Sequence, residues 1–98
     1  PEALFLKTPC SPHKAAKIEG LHINERRIDP PVTSRPLIIE GCGGIFVPLN
    51  QNALMIDLMQ SWDCEWVIVS RHYLGSINHT LLTLESMKKR GLDIRGLI

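Results

Sequence analysis

An acidic residue followed by glycines is the part of this sequence best suited to bind a charged ligand. Glu40 follows three branched apolar residues, 37–39, as if a buried strand ended there. The loop that comes next is Gly41, Cys42, Gly43 and Gly44. A hard cation prefers oxygen ligands, and bare backbone N–H groups bind phosphate, so residues 40–44 could offer both side by side. The structural alternative is a strand followed by a flexible turn.

A second stretch could bind an anion through its backbone. Residues 75–80, GSINHT, lead into a segment with strong helical periodicity. The first turn of a helix carries unpaired N–H groups and a partial positive charge, so it attracts a carboxylate or phosphate without any basic side chain. Gly75 would let such a ligand approach the backbone closely. The structural alternative is that Ser76 and Asn78 cap their own helix.

Two residues within these stretches have side chains that could react. His79 could act as a base or a ligand, but a single histidine on a helix is more often structural. Cys42 has no neighbour in sequence that would activate its thiol, so we do not expect a nucleophile there. The three cysteines are widely spaced and contain no C-x-x-C pair, which favours a reducing compartment over a disulfide framework or a zinc site.

Three apolar runs predict the strands that would position the two loops. Residues 37–39 and 66–69 are continuously apolar, which is typical of strands covered on both faces, and residues 92–98 begin a third strand. Residues 21–36 contain three prolines, which exclude a long helix and leave only a weak edge strand.

Helical patterns come before and between these strands. Ser11 is a suitable N-cap for a first helix, with residues 13–19 as its body. Residues 54–62 carry an apolar stripe that predicts a second helix, with Asn50 or Asn52 as its cap. The stripe consists of Leu54, Met55, Leu58, Met59 and Trp62.

The third predicted helix has the clearest boundaries. Its apolar positions recur at helical spacing over residues 77–87, and residues 88–90 are basic, which complements the helix dipole. Gly91 is placed to end the helix in the left-handed conformation. The apolar positions are Ile77, Leu81, Leu84 and Met87.

The resulting order after the first helix is β-α-β-α-β, which predicts an α/β fold with a parallel sheet and flanking helices. The carboxyl ends of parallel strands meet at one edge of a sheet, where ligands collect. Glu40 and residues 75–78 are therefore expected on the same side of the sheet, within a single partial domain that spans residues 1–98.

Composition excludes several classes of protein. The chain has 98 residues, a formal net charge of +1 and 21% charged residues, which gives no basic footprint for nucleic acid. No apolar run reaches the length of a membrane span and no signal-peptide pattern is present, so we expect a cytoplasmic location. The sequence begins at Pro1 and stops within an apolar run at Ile98, from which we expect a fragment of a longer protein.

Four segments together resemble the dethiobiotin synthetase family. Residues 38–49, IIEGCGGIFVPL, are similar to its E-G-A-G-G-x-x-x-P-L segment, and residues 74–85, LGSINHTLLTLE, to its L-G-[TS]-I-N-H-[TA]-L-L-[TS] segment. Residues 11–16, SPHKAA, resemble its S-P-H-x-A-A, and residues 91–98 fall where it has G-L-x-x-x-G. The segments stand in the family's order and cover most of the chain. One departure is Cys42, where alanine is usual.

The resemblance implies a P-loop NTPase-like three-layer α/β/α fold and an ATP-dependent carboxylating, ring-closing ligase of biotin biosynthesis. The implied substrates are 7,8-diaminononanoate, carbon dioxide and ATP, with Mg²⁺ as the metal ion. Glu40 matches the family's acidic Mg²⁺ ligand, and the phosphate-side loop beside it corresponds to Gly41, Cys42 and Gly43. The helix start that binds the substrate carboxylate, reached from the partner subunit of a homodimer, corresponds to Gly75, Ser76, Ile77 and Asn78.

The resemblance also implies that much of the active site lies outside these residues. The family's P-loop, its catalytic lysines and a second acidic Mg²⁺ ligand are expected before Pro1, and its adenine-binding segments after Ile98. Residues 1–98 alone are therefore expected to be inactive. Two other classes stay open: a related P-loop protein, such as a cobyrinic acid amidotransferase or a partitioning ATPase, and a non-enzymatic α/β module. A G-x-x-x-x-x-G-K-T stretch upstream would favour either P-loop class over the module.

Overall fold

The computed structural model describes residues 3–41 and 43–98, and the chain divides into two compact units, Pro1–Trp62 and Asp63–Ile98. The first unit is built from helices and turns, and the second from two strands and a long helix. In chain order the elements are α1 (Pro12–Ile18), a 3₁₀ turn (Glu25–Arg27), α2 (Met55–Met59), β1 (Trp66–Ile68), α3 (Ser76–Lys89) and β2 (Ile94–Leu97).

The second unit is a strand–helix–strand unit with a parallel sheet. Strands β1 and β2 run parallel, with Ile68 opposite Leu97 and one register shift after Trp66. The pairing continues beyond the strands, because the N–H of Ser70 donates to the carbonyl of Ile98 at 2.8 Å. Parallel strands need a long crossover connection, and α3 lies within that connection. The predicted α/β class with a parallel sheet is confirmed.

Helix α3 has a glycine at each end. Gly75 precedes it with a φ of 93° and Gly91 follows it with a φ of 71°, both in the left-handed region that glycine adopts most readily. The N–H of Gly91 donates to the carbonyl of Lys88 at 3.0 Å. The N–H of Leu92 donates to the carbonyl of Met87 at 3.1 Å, which completes a Schellman motif. The predicted end of this helix at Gly91 is confirmed.

A small apolar core holds the first unit together. Helix α1 contributes Ala16 to it and α2 contributes Leu58, so the predicted orientation of the α2 stripe toward a core is confirmed. The first helix also begins where Ser11 and Pro12 predict it. The buried members are Ala16, Ile23, Leu49 and Leu58, with Leu6, Ile28, Met55 and Trp62 packed around them.

The side chain of Asn50 ties two loops of this unit together. Its Nδ2 donates to the carbonyl of Ile23 at 2.9 Å and to Oε2 of Glu25 at 2.7 Å. Its Oδ1 accepts from the N–H groups of Asn52 and Ala53 at 2.8 and 2.9 Å. The Glu25 carboxyl has a lowered pKa, because its own backbone N–H and the Asn50 amide both stabilise the charged form.

The caps predicted for α2 are wrong. The residue that precedes the helix is Leu54, whose N–H donates to Oδ2 of Asp57 at 2.8 Å. Asn50 closes the turn before the helix, and Asn52 donates its N–H to that turn. The aspartate is therefore the side chain that satisfies an N–H group at the start of α2.

The strand predicted at residues 37–39 is also wrong. These residues belong to no strand in the described part of the chain, and Ile38 is 93% exposed. An apolar run becomes a strand only when a neighbour takes up its backbone hydrogen bonds, and residues 3–41 and 43–98 place no strand beside it. The weak edge strand predicted within residues 21–36 is absent as well, and Glu25–Arg27 forms the 3₁₀ turn instead.

Apolar side chains in the second unit are more exposed than the sequence predicts. Met87 is 1% exposed and Ile68 is buried, as expected for a core. Val67 of β1 and Ile77 of α3, however, are 53% and 77% exposed. Two short strands and one helix cannot cover both faces of the sheet and the whole helix stripe.

Candidate functional site

Glu40 presents its carboxylate at the end of an irregular segment. Its side chain is exposed, and it forms no ion pair with any residue that the structure describes. No group of three or more His, Cys, Asp or Glu side chains among the described residues could hold a metal ion. Mg²⁺ is usually held by one or two carboxylates together with phosphate oxygens and water. An exposed carboxylate such as that of Glu40 can supply one such oxygen ligand.

Gly41 sets the position of Glu40 by packing against α2. A β-carbon at Gly41 would lie 3.3 Å from Sδ of Met59 and 3.6 Å from Cγ of Met55. The first of these distances is shorter than an ordinary contact, so a larger residue here would require the Met59 side chain or the loop to shift by a few tenths of an ångström. The two methionines predicted as core residues of α2 thus also support the loop.

Gly43 is required by the backbone of the same loop. Its φ is +77°, and a β-carbon there would lie 2.7 Å from Cγ2 of Val47, a distance that forces a shift. The N–H of Met55 donates to the carbonyl of Val47 at 2.8 Å, and the N–H of Ile56 to that of Ile45 at 3.0 Å. The C-terminal side of the loop is therefore fixed to the start of α2. The predicted phosphate-binding residue Cys42 lies outside the described residues.

The start of α3 leaves backbone donors open. The N–H of Ser76 donates to the carbonyl of Tyr73, and the N–H of His79 to that of Gly75, each at 3.0 Å. The N–H groups of Ile77 and Asn78 have no partner among the described residues, and no side chain caps the helix. Ser76 and Asn78 thus do not fill the cap role that was the structural alternative. Two adjacent amide donors at the positive end of a helix can bind a carboxylate.

Tyr73 and His79 bracket this turn. The Tyr73 hydroxyl lies 2.8 Å from Nδ1 of His79, and the two ring centroids are 5.6 Å apart. A β-carbon on Gly75 would lie 3.6 Å from Cε1 of His79, so the imidazole lies beside the left-handed glycine. Tyr73 could not be singled out from the sequence, since a tyrosine in a short loop has no recognisable spacing to a histidine six residues later.

The predicted site residues are thus distributed over the two units. Residues 40–44 belong to the first unit and residues 75–78 to the second. Within each unit the expected chemical groups are exposed, a carboxylate in one and two backbone amides in the other. Their expected neighbourhood at one edge of a sheet stays a prediction.

Comparison with protein families defines the class of protein. Residues 1–98 match the family described as AAA domain, and the chain belongs to this family of P-loop α/β domains. Within residues 3–41 and 43–98, no helix has the length and apolarity that crossing a membrane requires. No solved structure gives a significant match.

Similar individual proteins point to one enzyme more specifically than the family does. The chain is 49% identical over all its residues to ATP-dependent dethiobiotin synthetase BioD of Paramagnetospirillum magneticum, of which it covers 48%. It is also 49% identical to the Chlamydia pneumoniae protein of that name, covering 45% of it, and 50% identical over 96 residues to that of Christiangramia forsetii, covering 46%. The chain spans about half the length of the curated relatives it matches. The resemblance seen in the sequence is confirmed.

Proposed function

We propose that the protein to which these residues belong is a dethiobiotin synthetase of biotin biosynthesis. The observation that supports this most directly is the 49% identity over the whole chain to proteins named ATP-dependent dethiobiotin synthetase. The proposed reaction is the ATP- and Mg²⁺-dependent carboxylation and ring closure of 7,8-diaminononanoate. One amine takes up carbon dioxide as a carbamate, ATP phosphorylates the carbamate, and the second amine closes the cyclic urea with release of phosphate.

Glu40 is the proposed Mg²⁺ ligand, and Gly41, Cys42 and Gly43 form the proposed phosphate-side loop. Phosphoryl transfer depends mainly on alignment and on neutralisation of charge, and Mg²⁺ bound with ATP supplies much of that neutralisation. The exposed carboxylate of Glu40, free of any ion pair among the described residues, supports this role. The packing of Gly41 against Met59 supports a loop that keeps the carboxylate in one place.

The start of α3 is the proposed binding site for the carboxylate of the diamine. The open N–H groups of Ile77 and Asn78 support this role, together with the left-handed Gly75 before them. Gly75 and Ser76 complete the turn. Backbone donors fix the carboxylate end of the substrate without placing a competing nucleophile near its amines. We also propose a cytoplasmic homodimer, in which the start of α3 in one subunit serves the active site of the other.

The P-loop and the catalytic lysines are proposed to lie in segments outside residues 1–98. The proposal therefore predicts that the full-length protein is active and that residues 1–98 alone are not. No lysine lies within residues 40–44 or 75–78.

An assay of the full-length protein tests the proposal. Conversion of 7,8-diaminononanoate to dethiobiotin should require ATP, Mg²⁺ and bicarbonate, and mass spectrometry should detect the product. Loss of the product when any one of the three is omitted is the expected result. Absence of the product with all three present, from protein that is folded and binds ATP, would contradict the proposal.

A further inference from the structure

Tyr73 contributes to the turn before α3 with both its backbone and its side chain. Its carbonyl accepts from the N–H of Ser76 at 3.0 Å, and its hydroxyl lies 2.8 Å from Nδ1 of His79. The residue thus contacts the helix at two points on either side of the open amides. Because Tyr73 makes both contacts, loss of its side-chain hydrogen bond should also make the backbone turn more mobile.

The imidazole of His79 is held at its ring, whereas its backbone belongs to helix α3. Its Nδ1 is bonded to the Tyr73 hydroxyl at 2.8 Å, and its backbone N–H donates to the carbonyl of Gly75 at 3.0 Å. The imidazole also lies beside Gly75, with Cε1 3.6 Å from where a β-carbon would be. A ring held in this way limits how far the left-handed turn can move.

The geometry points to Tyr73 and His79 as positioning residues for the carboxylate of the anionic substrate. Their hydrogen bond holds Gly75 in the left-handed conformation and so keeps the N–H groups of Ile77 and Asn78 directed at the ligand. The inference rests on the proposed function for the identity of the substrate. Pre-organisation of this kind strengthens binding because less conformational freedom is lost when the ligand binds.

Substitution of Tyr73 by phenylalanine in the full-length protein tests the inference. Tyr73→Phe removes the hydroxyl and keeps the ring, so the KM for the diamine should rise about two- to tenfold, the range expected for one lost neutral hydrogen bond. The KM for ATP and kcat should each change by less than about twofold, because only one ligand is affected. Equal increases in both KM values, or no change in either, would overturn the inference.

Variants at His79 separate positioning from a general structural role. The side-chain amide of asparagine places a polar atom close to the position of Nδ1, so His79→Asn should retain the bond to Tyr73 and a KM near that of the wild type. His79→Ala should raise the KM as Tyr73→Phe does. The double variant Tyr73→Phe/His79→Ala should be no worse than the worse single variant, because both changes remove the same interaction.

Thr83→Val is the matched control. It removes the hydrogen bond from Oγ1 of Thr83 to the carbonyl of His79 but leaves the Tyr73–His79 bond in place. Its KM for the diamine should equal that of the wild type. An increase as large as that of Tyr73→Phe would show that any loss of contact in this helix has the same effect, and would overturn the inference.

Hydrogen exchange tests the pair even if the full-length protein fails to convert the diamine, an outcome that would contradict the proposed function alone. The N–H groups of Ser76 and His79 make the two backbone bonds of the turn. Their exchange should be about two- to tenfold faster in Tyr73→Phe than in the wild type or in Thr83→Val. Unchanged protection in Tyr73→Phe would overturn the inference whatever the activity.

Discussion

The two candidate binding regions present their chemistry by opposite means. Beside Gly41 the candidate binding group is a side chain, the carboxylate of Glu40, and the backbone around it leaves little room for a β-carbon at Gly41 or Gly43. At the start of α3 the candidate binding groups are backbone amides, and the side chains of Tyr73 and His79 fix the turn that exposes them.

This difference decides what a substitution should do in each region. Changing Glu40 removes the proposed ligand itself, whereas changing a glycine beside it disturbs packing. At the start of α3 no substitution can delete an amide except proline, so function there responds to the shape of the turn. Substitutions in both regions, and at a carboxylate outside them, should therefore differ in the size of their effects.

The largest effect is expected for Glu40→Gln in the full-length protein. Loss of the charged ligand should lower Mg²⁺-dependent kcat/KM by about 100-fold or more, since charge stabilisation at a metal is worth several kcal/mol. The fold should be unaffected, because the side chain is exposed. Glu65→Gln is the control, since Glu65 is also exposed and its carboxylate pairs with Arg95 at 3.3 Å. Wild-type turnover in Glu40→Gln would remove this residue from the site.

The next effect concerns the shape of the turn before α3. Gly75→Val places a branched residue at a φ of 93° and should raise the KM for the diamine by about tenfold while changing that for ATP little. Gly91→Val is the matched control, because its φ of 71° imposes similar strain at the other end of the same helix. If both variants raise the KM for the diamine equally, strain in α3 rather than the shape of the site is the cause.

Substitution of two neighbouring glycines, Gly43 and Gly44, should change the free energy of unfolding by different amounts. Gly43→Ala combines a φ of +77° with a β-carbon 2.7 Å from Val47, so it should lower the free energy of unfolding by about 1–3 kcal/mol. Gly44→Ala has open space around its β-carbon and should stay within about 0.5 kcal/mol of the wild type. Urea denaturation of the full-length protein gives both values. Equal losses would show that the contact with Val47 does not fix the loop.

The smallest effect is expected for the carboxylate of Glu19. Unlike the carboxylate of Glu40, it accepts a hydrogen bond from the protein's own backbone. The N–H of Thr8 donates to Oε1 of Glu19 at 2.7 Å and lowers the pKa of that carboxyl below its ordinary value of 4.5. A lowered folded-state pKa stabilises the fold above pH 4.5, and this contribution is lost as the pH falls through the lowered value.

Thermal melting against pH measures the Glu19 contribution in the full-length protein. Below pH 4.5 the wild type should lose stability relative to Glu19→Gln, which has no carboxyl to titrate at this position. Parallel melting curves for the two proteins over that range would show that the bond to Thr8 does not contribute.

Local features of the fold could be predicted from the sequence. Helix α3 and its end at Gly91 follow from residue spacing and from the conformation that glycine permits, and both are decided within a few residues of the chain. The parallel pairing of β1 and β2 follows from the helix between them. Whether residues 37–39 form a strand could not be predicted correctly. Strand formation depends on a partner strand, and an apolar run does not indicate whether a partner is present.

The candidate site was predictable only in part for a similar reason. The presence of Glu40 beside glycines is visible in the sequence, but its exposure and lack of an ion pair among the described residues are properties of the structure. The role of Ser76 and Asn78 as caps was an open alternative that the structure resolves against capping. The bond between Tyr73 and His79 depends on how the turn folds, and no spacing rule predicts it.

A crystal structure of the full-length protein with 7,8-diaminononanoate, Mg²⁺ and a non-hydrolysable ATP analogue would test most directly whether both regions serve one active site. The expected result is a carboxylate oxygen of Glu40 at about 2.1 Å from Mg²⁺, and the substrate carboxylate at about 2.9 Å from the N–H nitrogens of Ile77 and Asn78. Binding of the substrate carboxylate to a basic side chain elsewhere, with the start of α3 facing solvent, would contradict it.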